Sequence, residues 1–144
     1  PEQLQAAQLL VKLGTLPDKI DCGLKNGTLF NHLLFWPMRK ETVFSKQIRE
    51  KELEAVQKLL RDMSEEIDAA PTSLVIEELS NAVRMTIHSL DRLALFRGYR
   101  HRSKDPKKAI QQIITEHRIL WKSRNRLGGL AESNAFLMQS AKCL

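Results

Sequence analysis

Apolar residues return every three or four positions along most of this chain, the spacing that gathers them on one face of an α-helix. The plainest case covers 45–69. Ile48, Leu53, Val56, Leu60, Met63 and Ile67 make a stripe, and the positions between them are charged, among them Lys46, Arg49, Glu50, Lys51, Glu54, Lys58, Arg61 and Asp62. Glu54 precedes Lys58 by four residues, the favourable order for an ion pair on a helix. Pro71 follows the end. The pattern predicts an amphipathic helix with one buried face.

The next helix is predicted from Thr72 or Ser73, either of which can cap it, to about Gly98. Glu77 and Glu78 fall in its first turns, where the helix dipole favours anions. Its stripe is Ile76, Leu79, Val83, Ile87, Leu90 and Leu93, widened by Leu74, Val75, Met85 and Phe96. A stripe that wide implies contact with two neighbours. A basic connector, 99–104, leads to Asp105 and Pro106, an N-cap side chain with proline at the first helical position. The helix that follows carries Ile110, Ile113, Ile114, His117, Leu120 and Trp121 on one face and is expected to end at Gly128 and Gly129. A last helix over 130–142 has Leu130, Leu137 and Ala141 on one face, with Ser133 and Gln139 off it.

The start is less regular. Residues 2–13 predict a short helix with Leu4, Ala7, Leu10 and Val11 on one face, stopped by Gly14 and Pro17. After it, turn pairs such as Asn26-Gly27 interrupt the pattern, and Leu29, Phe30, Leu33, Leu34, Phe35 and Trp36 crowd together before Pro37. A short helix after Asn26 or Thr28 fits there. So many large apolar groups need a surface to cover, on this domain or on a neighbour. No stretch alternates with a period of two, so no sheet is expected. Three long helices joined by short links should run antiparallel. The fold class is therefore all-α, an up-down bundle of three long helices with additional short helices at both ends. Residues 1–40 form the short helix and irregular apolar segment, and 41–144 the bundle.

Length and charge narrow the function only a little. The 144 residues suffice for one domain with a core, and no apolar run is long enough to span a bilayer. Cys22 and Cys143 are too few for a disulfide scaffold and lack metal-ligand spacing, which suits free thiols and a reducing, cytoplasmic compartment rather than a secreted one. No signal peptide is visible, and a chain that begins at Pro1 suggests a piece of something longer. The net charge of +6 favours encounter with acidic surfaces without naming one.

Candidate chemistry is sparse. Most acidic residues, including Glu50, Glu52, Glu54, Glu65 and Glu66, fall between cations on faces expected to be solvated. None of His32, His88, His101 and His117 lies three or four residues from another histidine, so no metal site is expected, and no nucleotide- or cofactor-binding fingerprint is present. His117 is expected to pack and bond to a neighbouring helix. The run RGYRHRSKDPKK, 97–108, sets six cations against one acid and could meet phosphate, but it spans a helix end, a link and a helix start rather than a recognition helix. Nucleic acid is thus the lesser reading. Near the carboxyl end, Trp121 is followed by Lys122, Arg124 and Arg126. Those cations can offset a helix dipole, with Gly128 or Gly129 as a left-handed cap.

That last stretch also carries a resemblance. LWKSRNRLGGLAESNAFL, 120–137, resembles the carboxyl-terminal element of bacterial family 20 glycoside hydrolases, the exo-β-N-acetylhexosaminidases with a helical domain after their barrel. The matching residues are Leu120, Trp121, Arg124, Asn125, Arg126, Gly128, Gly129, Leu130 and Ser133, and Leu127 stands where proline is common. KNGTLFNHLL, 25–34, is similar to an Asn-Gly-Ser/Thr, Leu-Phe element after the last barrel helices of that group. Over 43–108 only helical patterning agrees.

The resemblance implies a parent enzyme that removes terminal N-acetylhexosamine by a substrate-assisted retaining mechanism, in which an Asp-Glu pair on the barrel orients the substrate's acetamido group and protonates the leaving oxygen. No such Asp-Glu dipeptide occurs in this chain. The chain would then be the non-catalytic helical accessory domain, without catalytic residues or cofactor. Its partners would be the barrel of the same polypeptide or a second subunit in a homodimer, with no membrane. Trp121 would pack on the cluster around Phe35 and Trp36 or on the barrel. Arg124 and Arg126 would tie the following turn, with Asn125 beside them, and Gly128 and Gly129 would redirect the chain. The alternative is a basic helical module that binds nucleic acid or another protein.

Overall fold

The computed structural model describes residues 2–19, 48–100, 103–124 and 128–142. They form α1 (Glu2–Gly14), a 3-10 turn (Leu16–Lys19), α2 (Glu50–Asp68), α3 (Leu74–Arg97), α4 (Pro106–Ser123) and α5 (Leu130–Lys142). No strand occurs among the described residues. No helix among them is long and apolar enough to cross a membrane.

The helix ends follow local chemistry. Ser73 Oγ accepts from the Ile76 N–H to open α3, and Asp105 Oδ1 accepts from the Lys108 N–H at 2.9 Å to open α4, with Pro106 in its first turn. Gly98 closes α3 in the left-handed conformation, φ 69°, where a side chain would be strained. The start of α2 is later than the pattern suggests. Ile48 and Arg49 are not helical, and Arg49 is the N-cap. Arginine has no acceptor to cap with, so the terminus is held from the other side. Glu52 Oε2 accepts from the Arg49 N–H at 2.9 Å, and its Oε1 takes the guanidinium. That bonding holds the Glu52 carboxyl below its ordinary range. Glu52, expected on a solvated face, is thereby buried.

The three long helices α2, α3 and α4 run alternately up and down. Glu50 at the start of α2 accepts from the Arg100 N–H beyond the end of α3, and Gln57 donates to Asp91 at 2.9 Å. Arg84 of α3 meets Glu116 of α4, and Arg124 after α4 meets Glu78 near the start of α3. The core comes in two clusters. Leu53, Val56, Leu60 and Met63 of α2 pack with Ile76, Leu79, Val83, Leu90 and Leu93 of α3, and Ala6 and Leu9 of α1 join them. Met85 of α3 packs instead with Ile110, Ile113 and Ile114 of α4 and Leu137 of α5. The wide apolar stripe of α3 thus serves two neighbours, as its breadth implies, although Val75 and Phe96 at its margins are exposed.

α1 departs from its predicted orientation. Its buried residues are Ala6 and Leu9, while Leu4 and Val11 are each 65% exposed and Leu10 is 54% exposed. The helix is apolar on two sides, and periodicity does not say which side meets the core. Ala6 and Leu9 are the side that packs into the core, and Lys12 pairs with Glu66 of α2 at 2.5 Å across the surface. α3 also carries polar residues inside: Asn81, Thr86, His88, Ser89, Asp91 and Arg92 are all buried. Ser89 and Thr86 return their hydroxyls to the carbonyls of Met85 and Ala82, each at 2.8 Å, so their burial costs little.

Candidate functional site

The carboxyl-terminal element that stands out in the sequence folds into a joint between α3, α4 and α5. α4 ends at Ser123, a full turn before the glycine pair predicted to stop it. Its C-cap is Arg124, whose N–H bonds the carbonyl of Trp121 at 3.3 Å. The Arg124 side chain crosses to α3, where Nε donates to Glu78 Oε1 at 2.8 Å and Nη2 to Oε2 at 2.6 Å. This two-pronged geometry is the one a planar guanidinium makes best, and the hydrogen bond to Glu78 raises the arginine above its ordinary range.

Trp121 lies one turn before. Its ring meets His117 edge to face, with centroids 5.3 Å apart and planes at 65°. Its far edge covers Gly129. A methyl group on that glycine would lie 3.4 Å from Trp121 Cζ2. Gly129 has φ 79° and opens α5, its carbonyl accepting from the Ser133 N–H at 3.0 Å. It is therefore the entrance to α5 and not the cap of α4. The indole N–H is buried with no acceptor among the described residues.

His117 bonds a neighbouring helix, as its place on the apolar face implies. Its Nε2 lies 2.8 Å from Ser133 Oγ on α5. Ser133 therefore faces α4 and is half-buried, contrary to its predicted place off the apolar face. Burial pushes the imidazole below its ordinary range, so the ring is neutral at pH 7. A serine beside a neutral histidine invites comparison with a nucleophile and its base. No carboxylate among the described residues bonds this ring, and the Ser133 N–H is already used within α5. Among the described residues no carboxylate orients the ring as a nucleophile's base requires. The pair clips α4 to α5.

Arg84 of α3 extends the joint by donating to Glu116 Oε1 at 2.5 Å, and Asn81 Nδ2 reaches the Ile113 carbonyl at 3.4 Å. Between α3 and α4, beside the Glu78–Arg124 clamp, runs an open cleft of about 300 Å³. Of the residues singled out in the sequence, Trp121, Arg124 and Gly129 come together here, and Gly128 is exposed beside them. Asn125, Arg126, Phe35 and Trp36 lie outside the described residues, as do His32 and His101. Glu78, Asn81 and Glu116 were not singled out. The antiparallel register of α3 on α4 is the signal that leads to them, since it sets the start of α3 opposite the end of α4.

The basic run is split as its sequence suggests. Arg97 ends α3, Arg100 lies in the link, and Lys107 and Lys108 open α4. No group of three or more histidines, cysteines or carboxylates able to hold a metal occurs among the described residues. No family model, curated protein or solved structure matches this chain.

Proposed function

We propose that this chain is a non-catalytic helical accessory domain of a family 20 β-N-acetylhexosaminidase, packed against the catalytic barrel of the same polypeptide or against a second subunit. The resemblance of 120–137 to the ending of those enzymes motivates the reading. The observation that carries it is the use made of that element: Arg124 clamps Glu78 on α3, and Trp121 covers Gly129 at the mouth of α5. These residues hold helices together, which is what a structural element requires. Substrate-assisted cleavage would instead need an Asp-Glu pair at the scissile bond, and the sequence contains no such dipeptide. Leu4, Leu10 and Val11 form an exposed apolar face on α1 among the described residues, a surface such packing would use.

The test is hydrolysis of a chromogenic N-acetyl-β-glucosaminide by this chain alone and by the longer polypeptide that contains it. The reading expects turnover from the longer polypeptide and none from the chain alone. Turnover by the chain alone would reject it, and so would an inactive longer polypeptide.

A further inference from the structure

We propose that the buried hydrogen bond between Gln57 of α2 and Asp91 of α3 is a register lock: it selects one of two ways in which these helices can lie together, a choice their apolar stripes leave open.

The stripes repeat. On α2, Leu53, Val56, Leu60, Met63 and Ile67 are buried at alternating steps of three and four residues. On α3, Ile76, Leu79, Val83, Thr86, Leu90 and Leu93 follow the same steps. That is a seven-residue repeat, the pattern of helices packed along a seam. Sliding α2 by seven residues sets Leu60 in the place of Leu53, Met63 in that of Val56 and Ile67 in that of Leu60. Apolar groups still meet apolar groups after a slip of about 10 Å.

The connection permits the slip in one direction. With Gln57 opposite Asp91, the end of α2 at Asp68 lies level with Ser80, about 9 Å along α3 from its start at Leu74. A slide of α2 toward the start of α3 brings the two joined ends nearly level, so residues 69–73 still span them. α3 has 24 residues against 19 in α2, so the length of the seam is kept.

The polar pair does not repeat. Gln57 and Asp91 are 5% and 6% exposed, and Gln57 Nε2 donates to Asp91 Oδ1 at 2.9 Å. Seven residues before Asp91 stands Arg84, and seven before Gln57 stands Glu50. The slip therefore takes Gln57 from its carboxylate and sets Asp91 opposite Glu50. A buried polar group that fits only one alignment is the best-attested way to fix helix register. Glu50 also accepts from the Arg100 N–H across this seam, but in solvent, where water competes. Losing the buried bond disfavours the slipped form by roughly 10- to 100-fold.

The test is a distance measurement by pulsed electron paramagnetic resonance. Spin labels go on Glu65→Cys of α2 and Leu95→Cys of α3, both exposed, with Cys22→Ser and Cys143→Ser removing the native thiols. The labelled parent should give one distance. Gln57→Leu/Asp91→Leu removes the pair and fills the seam with apolar groups. It should add a second population about 10 Å longer. Gln57→Leu/Asp91→Asn removes the bond and the carboxylate but leaves a polar group at 91, and should add the same population. Leu60→Ala weakens the same seam without touching the pair and should keep the single distance. The inference is overturned if both pair variants keep only the parental distance, or if Leu60→Ala gains the longer one as well. It is also overturned if neither pair variant folds, because the bond would then supply stability rather than register.

Discussion

Replacing Gly129 by alanine tests whether the turn into α5 is held in the conformation described. Its φ of 79° lies where an L-residue is disfavoured by about 1–2 kcal/mol. Alanine also restricts the unfolded chain, a gain of about 0.4–1 kcal/mol that partly offsets the loss. The added methyl would lie 3.4 Å from Trp121 Cζ2, an ordinary contact, so the geometry adds no separate clash. The net expectation is a loss of about 1 kcal/mol. Gly14 is the matched comparison. It ends α1 without a positive φ, and nothing lies within 4 Å of where its methyl would go. Gly14→Ala should therefore stabilise by about 0.4–1 kcal/mol. In a domain of this size each kcal/mol moves Tm by about 2–4 °C, so the variants should melt on opposite sides of the parent and roughly 3–8 °C apart. Thermal and urea unfolding followed by helical circular dichroism measure this directly. If both variants shift the same way, the assigned conformation of the turn is wrong.

Burial holds His88 near a pKa of about 4, with Arg92 pushing the same way, and it lowers His117 in the same direction. His88 stays neutral in the folded chain until pH nears 4, while the unfolded chain takes up protons from pH 6.5 downward, and His117 adds to the loss in the same direction. Stability should be complete above pH 6.5 and fall as pH drops toward 4, by about 3 kcal/mol for His88 alone. Urea midpoints across that range check it, and His88→Gln should flatten the profile. Leu60, fully buried in the α1–α2–α3 cluster, should cost about 2–5 kcal/mol when cut to alanine. A loss below about 1 kcal/mol in chemical unfolding would mean the cluster is not packed as described. Asp105→Ala removes the cap of α4 and should cost about 1 kcal/mol, with Asp105→Asn nearly neutral.

The parts of the fold legible in the sequence were those fixed by local chemistry. Ser73, Asp105 and Pro106 announce helix starts because capping and ring geometry act over three or four residues. The stripe on α2 is legible because its other positions are charged enough to leave one choice, whereas α3 buries Asp91 and Arg92 with its apolar residues. On α1 the choice was open, and the ion pair Lys12–Glu66 joins residues far apart in the chain. No local pattern can show such a contact. Glu52 reads as a surface acid until the neighbouring cap proves to be an arginine that needs it. At the candidate site, Trp121, Arg124 and Gly129 are visible as residue types and His117 as Trp121's neighbour one turn back, but Glu78 follows only from helix register. Arg124 reaches α3 because α4 ends early and leaves the guanidinium at the helix rim, opposite the first turns of α3.

The account rests most heavily on Arg124 joining α4 to α3 through Glu78. A double-mutant cycle with Glu78→Gln and Arg124→Gln, followed by urea unfolding at low and high salt, measures that link. The account predicts that the double variant loses less stability than the two single variants together, and that this coupling shrinks as salt rises. Additive losses at both salt concentrations would contradict it.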